Sequence, residues 1–108
     1  MTAVSIAMAT YNGERFIGEQ LDSLAAQTHL PSELVVCDDG SSDGTLAIVE
    51  AFAHAAPFPV RVFRNEKNFG YADNFLKAAG LCESDWVAFC DQDDRWYPDK
   101  LATLRAAS

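Results

Sequence analysis

Six carboxylates crowd two short stretches of this chain: Asp38, Asp39 and Asp43 in Asp38-Asp39-Gly40-Ser41-Ser42-Asp43-Gly44, and Asp91, Asp93 and Asp94 in Asp91-Gln92-Asp93-Asp94. Acids near helix N-termini are favoured by caps and by the helix dipole, which accounts for one or two of them and not for six. Carboxylates brought within a few ångströms of one another repel, so one takes up a proton unless a cation neutralises the group. An Asp-x-Asp where an apolar strand ends suits Mg2+ or Mn2+, which take hard oxygen ligands and complete their octahedron with water and substrate phosphates. The chemistry such an ion supplies is the bridging of a diphosphate and stabilisation of its charge as a leaving group.

Other loop residues add to this. Thr10-Tyr11-Asn12-Gly13-Glu14 offers an aromatic ring to stack on a base and backbone N–H groups at a helix start, although Asn-Gly is also ordinary turn chemistry. It lacks both the G-x-G-x-x-G and the G-x-x-x-x-G-K-[ST] fingerprints, which disfavours a nicotinamide cofactor or an ATPase. Lys67 and Arg95 could each reach a phosphate, but solvation at the surface explains either one. Trp96 and Tyr97 could form part of an acceptor platform, but a staple packing the last helix onto the sheet is the preferred reading. His29 and His54 stand far apart without zinc-ligand spacing. Cys37, Cys82 and Cys90 form no C-x-x-C pair, and two lie in apolar runs, so they read as reduced, buried thiols.

The elements that must position these residues alternate in type. Apolar runs at Val4 to Thr10, Glu33 to Asp39, Val60 to Asn65 and Trp86 to Asp91 read as strands. Three are nearly continuous, as parallel strands covered on both faces should be, while Arg61 and Arg64 mark the third as an edge strand. Between them, Ile17, Gln20, Leu21 and Leu24 predict a helix over about 14–27, with Gln20 the one polar residue on its stripe. Leu46, Ile48, Val49 and Phe52 predict a second, N-capped by Ser42 or Asp43, and Tyr71, Phe75, Ala78, Ala79 and Cys82 a third. A fourth starts at Pro98 and carries Leu101 and Leu104. Strands alternating with helices require right-handed crossovers and a parallel sheet, which places every strand-to-helix loop at the carboxyl edge, where open α/β sheets bind ligands.

Composition narrows the function further. The 108 residues, 49% hydrophobic, suit one α/β domain with one core and one cleft. A formal charge of -8 opposes capture of a nucleic-acid backbone, so nucleic acid is not an expected partner; a phosphorylated small molecule can bind through a bridging divalent cation. No apolar run approaches the ~18 residues of a membrane span, and the start lacks a basic region followed by an apolar one. A cytoplasmic location is expected, with the inner face of the membrane open to a longer parent protein.

The string Val4-Ser5-Ile6-Ala7-Met8-Ala9-Thr10-Tyr11-Asn12-Gly13, Gln27-Thr28, the acidic loop with Thr45, Asn68-Phe69-Gly70, and Phe89-Cys90-Asp91-Gln92-Asp93-Asp94-Arg95-Trp96 with Pro98 and Lys100 resemble, in order and spacing, the inverting family 2 glycosyltransferases of GT-A fold. The match runs through essentially the whole chain. It implies a three-layer α/β/α, Rossmann-like nucleotide-binding half with a mostly parallel four-stranded sheet in the order 3-2-1-4. It also implies transfer of a sugar from a nucleoside diphosphate sugar with inversion, a divalent metal, Mg2+ or Mn2+, holding the diphosphate. Carried over by motif, Thr10, Tyr11 and Asn12 line the nucleoside pocket, Asp39 hydrogen-bonds the pyrimidine with Asp38 beside it, Asp91 lies near the ribose and sugar phosphate, and Asp93, with Asp91, holds the metal. The DQDD-x-W-x-P-x-K-L form looks like the branch containing bacterial rhamnosyltransferases and other cell-surface polysaccharide enzymes, which suggests a dTDP- or UDP-sugar donor and a glycan or lipid-linked acceptor.

Family members continue well past this length to supply the acceptor site and a general base, so the resemblance implies that residues 1–108 are a truncated donor-binding domain with little transferase activity of its own. An inverting transfer needs that base to take the acceptor's proton. A sheet face or edge left uncovered by the missing strands predicts self-association or marginal stability. Two other classes fit less well. A Mg2+-binding receiver-like module would place paired acids after the first strand, where Tyr11 and Asn12 stand, and a Mg2+-dependent phosphohydrolase would want a nucleophilic Asp at that point.

Overall fold

In the computed structural model, which describes residues 3–66, 68–84, 86–91 and 101, the order of elements is β1 (Val4–Thr10), α1 (Glu14–Ala25), β2 (Glu33–Asp38), α2 (Thr45–Ala55), β3 (Val60–Arg64), α3 (Tyr71–Leu81) and β4 (Trp86–Asp91). The strands form one parallel sheet in the order β3-β2-β1-β4, as the resemblance implies. β1 and β2 are buried along their whole length and β3 is only partly buried, which is the difference between central and edge positions that their sequences predict.

Alternation along the strands divides the core in two. Val4, Ile6 and Met8 of β1 and Leu34 and Val36 of β2 face α1 and α2, where Ile17, Leu21, Leu24 and Val49 fill the space against them. At about 1.5–3 kcal/mol for each fully buried aliphatic side chain, this layer supplies most of the hydrophobic drive. Ala7, Val35, Cys37 and Ala78 form a thinner layer on the opposite face, where the small side chain of Ala7 lets α3 lie close to the sheet. Leu101 is helical and joins the first layer, with its N–H donating to Gln27 Oε1 at 3.0 Å. The rest of the helix expected from Pro98, Leu104 included, lies outside the described residues.

The ends of the elements differ from the sequence reading by small amounts that have local causes. α1 stops at Ala25, two residues early, where the Gln27 N–H turns to Leu24 O in a tightened last turn. β2 and β3 each end one residue early, as Asp39 and Asn65 turn out of the ladder while their N–H groups still reach Thr10 O and Asp38 O. At α2 the N-cap is Gly44, not Ser42 or Asp43; Asp43 sits one residue further out and its Oδ1 accepts the Thr45 N–H at 3.0 Å. Gln20, the polar intruder on the α1 stripe, is buried and donates to Cys90 Sγ at 3.0 Å. The three cysteines are free, Cys37 and Cys90 buried and Cys82 half-buried; burial raises the thiol pKa of Cys37 and Cys82, which keeps them protonated. His54 is exposed and His29 half-buried. No helix among the described residues is long and apolar enough to cross a membrane.

Candidate functional site

The parallel register brings Thr10 opposite Asp38, Asp38 opposite Arg64, and Ala9 opposite Asp91, so all four strands end at one edge within a residue or so of one another. β1 sends out Tyr11-Asn12-Gly13. Asn12 adopts a positive φ of 49°, a conformation Asn tolerates better than most residues, and the chain turns there into α1. Tyr11 is 48% exposed at this rim.

The first two loops are laced together by reciprocal hydrogen bonds. Asn12 N–H donates to Ser41 Oγ at 2.8 Å, and Ser42 N–H donates back to Asn12 Oδ1 at 2.8 Å. Gly13 N–H reaches Thr45 Oγ1 at 2.8 Å, Glu14 N–H reaches Asp43 Oδ2 at 3.2 Å, and Gly44 N–H returns to Glu14 Oε1 at 3.1 Å. Donors that the starts of α1 and α2 would leave unpaired are thus satisfied by the other loop. Asp43 is held below the usual carboxylate range, first by the Thr45 hydroxyl and, against the opposing effect of desolvation, by the N–H groups around it.

Asp38 and Asp39 are adjacent in sequence and do different work. Asp38 has no exposed surface: Thr10 Oγ1 donates to its Oδ1 at 2.8 Å and Ser41 Oγ at 2.6 Å, while its Oδ2 accepts the Ser41 N–H at 2.8 Å and the Gly40 N–H at 3.1 Å. Four donors saturate it and turn it into the loop, and Thr10, itself buried, spends its hydroxyl on the same contact.

Asp39 turns the other way, to the loop before α3. Its Oδ1 accepts Asn65 Nδ2 at 2.9 Å and the Phe69 N–H at 2.8 Å, and its Oδ2 accepts the Gly70 N–H at 3.0 Å. Gly70 makes this possible with φ 83° and ψ 164°, a region essentially reserved for glycine. Only 5% of Asp39 is exposed. Burial works against its charge, but the Phe69 N–H, the Asn65 amide, the Gly70 N–H and the Lys77 ammonium outweigh it and hold Asp39 below the ordinary carboxylate value. Three acceptor positions are filled and a carboxylate has about four, so Oδ2 keeps capacity for one more donor.

The picture of six crowded carboxylates is therefore altered for the three that follow β2. Asp38, Asp39 and Asp43 each have their own donors, and among the described residues no three His, Cys, Asp or Glu side chains gather as a metal cluster. β4 brings Asp91 to the same edge. Gln92, Asp93, Asp94, Arg95, Trp96 and Tyr97 lie outside the described residues, as does Lys67. The site contains residues the sequence reading passed over: Asn65, Asn74, Lys77 and Ser41. Asn74 carried the best available signal, a polar residue three positions after Tyr71 and one before Phe75 on a stripe otherwise apolar, and the structure buries it.

The sequence profile described as glycosyl transferase family 2 matches residues 5–107. The chain belongs to that family. Among curated proteins it is 41% identical over 98 residues to the dTDP-rhamnosyl transferase RfbG of Shigella flexneri, covering 87% of this chain and 34% of that one. Among solved structures it is similar to S. aureus TarS in complex with UDP, with a TM-score of 0.87 and 35% identity over 97% of this chain and 31% of that one. It is also similar to the mannosyltransferase PcManGT of Pyrobaculum calidifontis in complex with GDP-Man and Mn2+, with a TM-score of 0.83 and 30% identity over 92% of this chain and 30% of that one. The fold is thus that of the GT-A glycosyltransferases, with rhamnosyltransferase-like relatives, and the chain spans about a third of the length of these relatives.

Proposed function

We propose that residues 1–108 form the donor-binding part of an inverting glycosyltransferase that takes a UDP- or dTDP-sugar with a divalent cation and passes the sugar to a glycan or lipid-linked acceptor of a bacterial cell surface. The observation that carries this reading is Asp39: a buried, ionised carboxylate at the carboxyl edge, fixed by three donors and with one acceptor position left for a pyrimidine ring N–H. Tyr11 and the Asn12 turn follow the neighbouring strand β1 at the same carboxyl edge, and the exposed ring suits a flat base. In this reading Thr10 and Asp38 shape the pocket from beneath, because their polar atoms are already spent on each other and on Ser41.

Asp91 and Asp93 would hold the metal. Both are carboxylates, the hard oxygen donors that Mg2+ and Mn2+ prefer, Asp91 is the last residue of β4, and the similar PcManGT is in complex with GDP-Man and Mn2+. A cation held there would supply charge stabilisation to the nucleoside diphosphate as leaving group. We assign the base that takes the acceptor's proton, and the acceptor site, to the part of the relatives that this chain does not span. In this proposal the full-length protein acts on a polysaccharide in the cytoplasm, at the inner face of the membrane. Trp86 and Phe89 expose large apolar area along β4, which favours association between copies of the isolated domain.

Calorimetric titration with UDP and dTDP, in Mn2+ and again in EDTA, tests the reading. Binding of either nucleotide in Mn2+ that weakens at least about tenfold in EDTA is the expected result. A folded sample that binds neither would overturn it.

A further inference from the structure

Where the chain leaves β1, Asn12 precedes Gly13, which sets an electrophile beside a nucleophile: the side-chain amide carbon of Asn12 and the main-chain nitrogen of Gly13. Asparagine is thermally labile, and glycine has no Cβ to hinder the approach of its nitrogen. Asn12 is also exposed, so water reaches it. The reaction open to the pair is deamidation. Gly13 N gives up its proton and bonds to Asn12 Cγ, the Cγ–Nδ2 bond breaks, and Nδ2 leaves as ammonia with that proton. Water then opens the cyclic imide at either carbonyl, giving aspartate or isoaspartate.

In the folded chain both reacting groups are engaged by the loop between β2 and α2. Gly13 is buried and its N–H donates to Thr45 Oγ1 at 2.8 Å. The Thr45 hydroxyl has a single proton, which it gives to Asp43 Oδ1, so only lone pairs are left to face Gly13. The Asn12 amide is tied to the same loop, its Oδ1 accepting the Ser42 N–H at 2.8 Å. On either side of Gly13, Asn12 N–H goes to Ser41 Oγ at 2.8 Å and Glu14 N–H to Asp43 Oδ2 at 3.2 Å. Imide closure therefore needs Gly13 to leave Thr45 and the amide to leave Ser42. Because these bonds lie side by side, the reactive state is a joint opening of the two loops.

We infer that Asn12-Gly13 is a site of spontaneous deamidation that the loop before α2 holds shut, with Thr45 as its latch. This stands independently of the donor-site reading. The product puts a carboxylate where the amide was, on a loop already carrying Glu14 and laced to Asp43, and the isoaspartate form also lengthens the main chain by a methylene. Conversion is irreversible, so each opening of the loops exposes the carboxyl edge to a permanent change of charge and chain length.

Peptide mapping by mass spectrometry, after incubation at mildly alkaline pH, follows conversion of Asn12 in the folded chain and in the chain unfolded by urea. Conversion in urea should outrun that of the folded chain by at least about tenfold, the order that losing two hydrogen bonds gives. Thr45→Val keeps the shape but loses the acceptor, and should speed conversion of the folded chain about fivefold or more, whereas Thr45→Ser should stay within about twofold. Val4→Ala, a core lesion at the far end of β1, should also stay within about twofold, which separates local opening from general loss of stability. If Thr45→Val fails to fold, hydrogen exchange of the Gly13 N–H in the unaltered protein replaces it, with protection of about tenfold or more expected. Equal rates in the folded and unfolded chain, no conversion in urea, or an unprotected Gly13 N–H would each overturn the inference. So would a Val4→Ala rate that rises as far as that of Thr45→Val. A Thr45→Val rate that is unchanged would overturn it too, as would a slower one, which would mean that the hydroxyl relays the proton and promotes the reaction.

Discussion

Two neighbouring aspartates of one loop differ because of where their side chains find donors. Asp38 is enclosed by Thr10, Gly40 and Ser41, and Asp39 by Asn65, Phe69 and Gly70. Asp38→Ala should therefore be a stability lesion: two hydroxyls and two N–H groups lose their acceptor in a buried place, and the urea midpoint should fall by the equivalent of about 2–4 kcal/mol. A loss below about 0.5 kcal/mol would show that water replaces the carboxylate without cost. Sequence placed both acids correctly at the edge, since an apolar strand ending in Asp-Asp leaves little choice. It could not tell one from the other. The distinction comes from Asn65 and Gly70, respectively 26 and 31 residues away from Asp39, and spacing along the chain carries no record of such contacts. Nor does a motif reveal that Asp43 is occupied by Thr45 and Glu14 and not by its neighbours in the acidic run.

At the scale of elements, the strands and helices were legible because their signals are periodic: β1 and β4 have the bounds their apolar runs predict, and the edge position of β3 follows from Arg61 and Arg64. The loops were less legible, since each is stabilised by another loop. The segment before α3 is the clearest case, with Gly70 bent to φ 83° and ψ 164° so that two successive N–H groups face Asp39. Open space surrounds the position a Cβ would take there, so the effect of Gly70→Ala is backbone strain alone, about 1–3 kcal/mol of lost stability. Gly80→Ala, near the end of the same helix and also facing open space but without a positive φ, should instead stabilise by about 0.5 kcal/mol. Thermal denaturation of the pair checks the argument: melting temperatures moving in the same direction would contradict it.

Across the whole molecule, buried charge is held at both edges of the sheet. At the amino edge Glu33 accepts from Ser5 Oγ and the Glu83 N–H and pairs with Arg61 at 2.7 Å; burial alone would raise its pKa, but these donors lower it. At the carboxyl edge Asp39 and Asp43 are lowered as well. A depressed carboxylate contributes stability that is complete above its unfolded value and lost as pH falls through its folded one. Stability should therefore be level from pH 7 to about pH 5 and decline below about pH 4.5, with a shallower decline in Glu33→Gln. A denaturation midpoint unchanged down to pH 3 would contradict that assignment. The net charge of -8 bears on the proposed binding too, because an acidic chain repels a nucleoside diphosphate and a divalent cation would offset that repulsion. The central claim is that the base meets Asp39 while the diphosphate lies toward Asp91 and Asp93. A crystal structure of the chain grown with UDP and Mn2+ tests it directly. The account predicts the uracil ring N–H within hydrogen-bonding distance of Asp39 Oδ2 and the metal between the diphosphate and the end of β4. A nucleotide bound elsewhere, or a base turned away from Asp39, would contradict it.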